Sequence, residues 1–121
     1  MYRDRMKLPV TLLILFLAAV LEASGDALVR SGLHASTPAL RGLFFVVGAA
    51  VLFAYGWLVN APPWDFGRLL GVYVVFFFVV AQLISFLVFG QKPGLAILLG
   101  GLFVVVGGLI MLSGLYYVIK G

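Results

Sequence analysis

Glu22 and Asp26 sit one helical turn apart inside a run of apolar residues, Leu8 to Val29, long enough to cross a bilayer. A charged side chain at the bilayer centre costs about 3 kcal/mol on insertion-based scales, so intramembrane acids are seldom kept without a use. Low-dielectric surroundings penalise the charge of a carboxylate. An acid placed like Glu22 is therefore suited to hold a proton or a cation in turn, which is the chemistry of coupled transport. The plainer reading is a neutral acid hydrogen-bonded to a neighbouring helix.

On a helical wheel Thr11, Leu15, Ala18, Glu22, Gly25, Asp26 and Val29 share one face. Ala18 and Gly25 flank Glu22 with small side chains, leaving room for a ligand or a second helix. Such a polar line usually faces a bundle interior or a wet cavity. Asp26 and Arg30 admit two readings. An acid four residues ahead of an arginine is the favoured order for a helical ion pair, which would anchor the end of the span. Alternatively, Asp26 is a second cation-binding carboxylate whose charge Arg30 tunes. The remaining intramembrane polar groups are Tyr55, Tyr73, Gln82 and Ser85, of which Gln82 and Ser85 share a face. Phe76-Phe77-Phe78 reads as lipid-facing or core filler.

The elements that hold these groups follow from composition. Of 121 residues 64% are hydrophobic and 10% charged, against about 25% charged in ordinary globular chains. Four apolar stretches, about 8–29, 42–60, 69–89 and 95–119, each approach the ~20 residues needed to span ~30 Å of hydrocarbon. The expectation is an all-α, four-helix membrane bundle forming a single domain over 1–121. The chain has no cysteine, and with one His and one deeply placed Glu it offers too little for a buried metal site. No phosphate-cradling loop or nucleophile motif appears, so no enzyme activity and no cofactor is expected. The formal charge of +4 places basic groups in loops facing lipid headgroups, not on a nucleic-acid surface.

Met1 to Leu21 has the outline of a secretory signal with Ala23-Ser-Gly25 after it, but the apolar run resumes, and an uncleaved first span is the better reading. Arg3, Arg5, Lys7, Arg68 and Lys120 fall on one side of a four-span topology; Arg30, Arg41 and Lys92 fall on the other. That bias weakly favours cytoplasmic termini and equally suits a chain inserted in both orientations. Pro38 and Pro93 are expected to start the second and fourth helices. In the last span Gly94, Gly101 and Gly108 recur every seven residues, as do Gly100, Gly107 and Gly114. Glycines at heptad spacing let a second helix approach closely, within one protomer or across a dimer.

With these residues in view, the chain resembles the small multidrug resistance family of the drug/metabolite transporter superfamily, from about Leu13 to Leu112. Glu22-Ala-Ser-Gly25 with Arg30, the turn Phe89-Gly90-Gln91, and Gly100 with Gly107 carry the resemblance. It implies an antiparallel homodimer in which the acid matching Glu22 alternately binds protons and a cationic substrate. Gly100 and Gly107 match the glycines through which that family dimerises. The chain departs from the family in span three, where Tyr73 takes the approximate place of a Trp and a Gly-x-Gly run is absent. Gly48 or a neighbour replaces the pocket tyrosine expected in span two, and Asp26 stands where a neutral residue is usual. A further four-span group of the same superfamily, with a Gly-Arg…Tyr run, is similar at Gly67-Arg68 and Tyr73.

The expected function is export of small organic cations or drugs against protons, by a homodimer in a bacterial inner membrane. Glu22, Asp26, Ala18, Gly25 and Tyr73 would form the site, and Gly100 and Gly107 the dimer interface. Partners would be protons, a cationic substrate and the bilayer, with no nucleic acid. Competing expectations are a lipid-linked substrate flippase, a small four-helix channel, and a structural membrane subunit. Ala27-Leu-Val-Arg30 is faintly similar to the first-span arginine of the antiparallel fluoride channels, but their Phe box and intramembrane Asn have no match.

Overall fold

The computed structural model describes Lys7 to Lys120, with side chains described through Gly114. Arg3 and Arg5, counted in the orientation bias, lie outside the described residues, as does the side chain of Lys120. Four helices account for nearly all of it: α1 (Leu8–Leu33), α2 (Pro38–Val59), α3 (Phe66–Phe89) and α4 (Leu95–Lys120). All four are long and apolar enough to cross a membrane. The expected all-α, four-span architecture is present, and the chain is a multi-pass membrane protein.

Local chemistry sets the ends. Pro9 occupies the first turn of α1 and Pro38 opens α2, where a missing N–H costs no helical bond. The Leu40 N–H donates to Thr37 Oγ1 at 3.2 Å, capping α2. The first helix continues past the expected end at Val29 because its last carbonyls find partners. His34 Nδ1 bonds the Arg30 carbonyl at 2.9 Å, and Arg41 Nε donates to the Gly32 carbonyl at 3.2 Å. A cation at that end also complements the helix dipole. Arg41 is thus a clasp on the α1–α2 turn as well as a loop charge.

Gly90 ends α3 in the left-handed region, φ 66°, a conformation that other residues rarely adopt. The Gln91 N–H then reaches back to the Ser85 carbonyl at 3.0 Å. Pro93 does not open α4 as expected. The Gly94 carbonyl accepts the first helical bond, from the Leu98 N–H at 3.1 Å, so Gly94 is the cap and Pro93 precedes it.

The helices form a row, α2–α1–α3–α4. The first helix packs on both α2 and α3, while α4 packs on α3 alone to any extent. The core sits along α1 and α3: Leu15, Ala18, Ala19 and Ala23 meet Leu69, Val72, Tyr73 and Val80, with Val59 from α2. Alanines on α1 bring the backbones close, which in lipid is a main source of helix association. Close approach between α1 and α2 rests on three glycines. A side chain at Gly25 would strike Leu52, one at Gly32 would strike Phe45, and one at Gly48 would press on Val29 and the Gly25 carbonyl.

The glycines within α4 fall into two groups, while Gly94, at the cap, touches nothing among the described residues on either side. Gly101 lies against Phe78 and Gly108 against Val75, so this group seats α4 on α3. Gly100, Gly107 and Gly114 have nothing of the described residues within 4 Å of the side-chain position and face outward.

Candidate binding site between the first and third helices

Glu22 is half-buried on α1, and its carboxylate accepts a hydrogen bond from the Tyr73 hydroxyl at 2.7 Å. That is an ordinary length for an O–H···O bond. Tyr73 is held deep in the core at 4% exposure, so its hydroxyl reaches the acid from a fixed ring. The Tyr55 ring of α2 lies 5.7 Å from that of Tyr73, and the Phe77 ring of α3 lies 6.3 Å from it on a second contact. Three helices thus place one carboxylate beside a cluster of three aromatic rings. A carboxylate with π-faces alongside is a chemical match for an organic cation, which both attract.

The other sequence candidates are distributed around this centre. Ala18, one turn before Glu22, is fully buried in the α1–α3 core. Gly25 is buried too, but its small volume admits Leu52 of α2. Asp26 is exposed on the wall of a cleft between α1 and α3. Arg30 does not pair with Asp26; its guanidinium lies over the Phe89 ring, 5.4 Å from the centroid. Gly100 and Gly107 are on the outward seam of α4, remote from Glu22 in the row.

Two residues matter more here than their sequence signal suggested. Tyr55 supplies the second-span aromatic, whereas Gly48, considered for that position, is a helix-packing contact with α1. Tyr55 falls two turns after Gly48, a spacing that keeps both on the side of α2 facing the bundle. Phe77 belongs to the aromatic wall, while its neighbour Phe78 packs on Gly101, so the Phe triplet splits between two jobs. Alternation by 100° per residue predicts that adjacent phenylalanines diverge, but not which one turns inward.

A four-span membrane bundle with a part-buried acid bonded to a core tyrosine is the class of protein defined by this geometry. Within that class, residues 8–116 match the family described as "Uncharacterised BCR, YnfA/UPF0060 family", and the chain belongs to it. No curated protein and no solved structure matches the chain.

Proposed function

We propose that this protein is a proton-coupled antiporter that exports small organic cations, working as a homodimer in a bacterial inner membrane. The observation that carries the reading is the Glu22–Tyr73 hydrogen bond beside the rings of Tyr55 and Phe77. Glu22 holds a proton or the cation, never both, so each occupant displaces the other. Tyr73 orients the carboxylate, and the rings favour flat or quaternary cations. Asp26 draws cations toward Glu22, while Ala18 and Gly25 let the helices close around it.

The homodimer reading draws on the row arrangement and the outward seam of Gly100, Gly107 and Gly114. A single row of four helices encloses no pathway, and a second copy packed through α4 would supply the missing walls. The weak charge bias suits two protomers inserted in opposite senses. The small multidrug resistance family, which the chain resembles, works in this way.

Purified protein in liposomes is expected to take up a quaternary ammonium when the pH gradient drives protons outward. Retained gradient-driven uptake in Glu22→Gln would refute the assignment. A second reading, a flippase for amphiphilic substrates, is favoured by the lateral cleft between α1 and α3. It predicts lipid movement without a pH gradient, which the same liposomes can measure.

A further inference from the structure

Beyond the exporter reading, which it does not require, the cleft between α1 and α3 has chemistry of its own. Its volume is about 290 Å³, near the lower end for small-molecule pockets. Asp26 and Arg30 line it from α1, Phe77, Ser85 and Phe89 from α3, and Gln91 from the turn that follows. Alanines on both helices make the space. Among the described residues neither α2 nor α4 contributes to the wall.

We propose that this cleft is a binding site for zwitterions, molecules in which a cation and an anion are joined by a short spacer. Asp26 and Arg30 face the same space with opposite charges, yet they do not neutralise each other, because Arg30 lies over Phe89. One helical turn separates them, a rise of about 6 Å along α1. A simple cation drawn to Asp26 meets the Arg30 charge, and a simple anion drawn to Arg30 meets Asp26. A zwitterion of matching span satisfies both.

The rest of the lining agrees. The planar guanidinium fork suits a sulfonate, phosphate or carboxylate, and its place over the Phe89 ring keeps it on the cleft wall. The Ser85 hydroxyl donates to Gln91 Oε1 at 3.2 Å, closing the rim with a polar pair. At the inner end Phe77 presents an apolar face, and the same ring contacts Tyr73. The cleft therefore adjoins the Glu22 site through a shared wall and shares Asp26 with its approach, but its anion-binding group, Arg30, belongs to the cleft alone.

Phosphoethanolamine lipid headgroups and soluble zwitterions share this chemistry, and the test distinguishes the two sources. Three probes with one benzyl group are compared by calorimetry on protein in nanodiscs, with no gradient: benzyltrimethylammonium, benzyldimethylammonium propanesulfonate and phenylpropanesulfonate. In phosphatidylglycerol discs the sulfobetaine is expected to bind about tenfold more tightly than the anion. Asp26→Asn and Arg30→Gln should each weaken it by about fivefold or more, and Arg30→Lys by less. Ala81→Phe, which fills the cleft, should abolish it, and Glu22→Gln should leave it within about twofold. That last arm separates this site from the exporter reading, whose own failure would appear as unchanged benzyltrimethylammonium binding in Glu22→Gln. Weaker probe binding in discs containing phosphatidylethanolamine assigns the site to the lipid headgroup; unchanged binding assigns it to a soluble zwitterion. Equal sulfobetaine affinity in wild type, Arg30→Gln and Ala81→Phe, each folded by its melting curve, would overturn the proposal. So would loss of sulfobetaine binding in Glu22→Gln.

Discussion

The Tyr73 hydroxyl and the Glu22 carboxylate meet at 2.7 Å across 51 residues of chain, joining α3 to α1 within the apolar layer. The bond makes the acid's position a property of the core, since Tyr73 is anchored among Val72, Leu69 and the α1 alanines. Orientation of the carboxylate therefore depends on a ring that cannot easily turn away.

Removing the hydroxyl alone tests that dependence. Tyr73→Phe keeps the ring and its contacts with Tyr55 and Phe77 but leaves Glu22 without its donor. A side-chain hydrogen bond contributes about 0.5–1.5 kcal/mol, and up to about 3 where one partner is charged. Cation affinity and gradient-driven uptake are expected to change by roughly tenfold, with melting in detergent shifted by only a few degrees. Unaltered uptake kinetics would remove Tyr73 from the site.

The aromatic wall yields a separate expectation. Tyr55→Leu removes a π-face near Glu22, whereas Tyr55→Phe retains it. A cation–π contact contributes about 0.5–2 kcal/mol, so Tyr55→Leu should weaken binding of a quaternary ammonium by about threefold to thirtyfold. Tyr55→Phe should stay close to wild type. If both variants weaken binding equally, the hydroxyl matters and the ring does not; if neither does, Tyr55 lies outside the site.

Much of this geometry was legible in the sequence, and the rest has a physical reason for being hidden. Tyr73 becomes a site candidate only through the family resemblance, whereas the four spans and the depth of Glu22 follow from hydropathy and from the rarity of polar groups in lipid. The end of α1 did not, because it depends on Arg41 and His34 reaching carbonyls at Gly32 and Arg30. Heptad spacing announced two glycine seams in α4, but only packing separates the one against Phe78 and Val75 from the open one. Asp26 and Arg30 had ideal spacing for an ion pair, yet the Phe89 ring, contributed from α3, holds the guanidinium elsewhere. Periodicity describes one helix at a time; a partner helix decides between equivalent faces.

The two glycine seams predict opposite phenotypes for neighbouring substitutions. Gly108→Leu drives a side chain into Val75 and should destabilise the protomer by about 1–3 kcal/mol, the usual scale of overpacking. Gly107→Leu points outward, so the melting of the isolated protomer should change little. It should, however, reduce cross-linking between copies and the apparent mass in mild detergent. A dimer that survives Gly107→Leu together with Gly100→Leu would remove α4 from the interface.

Thr11 offers a test of stability apart from any ligand. It lies on the Glu22 face of α1, three turns earlier, and is fully buried. Among the described residues its hydroxyl has no hydrogen-bond partner. A buried hydroxyl without a partner forfeits about 1–3 kcal/mol of solvation. Thr11→Val keeps the branched shape and removes that liability, so it should raise the melting temperature by a few degrees and leave uptake unchanged. Thr11→Ser keeps the hydroxyl but deletes a packed methyl, and should melt lower than wild type. If Thr11→Val instead melts lower or slows transport, the hydroxyl has a partner in the working protein, and the polar face of α1 extends functionally from Glu22 to its first turn.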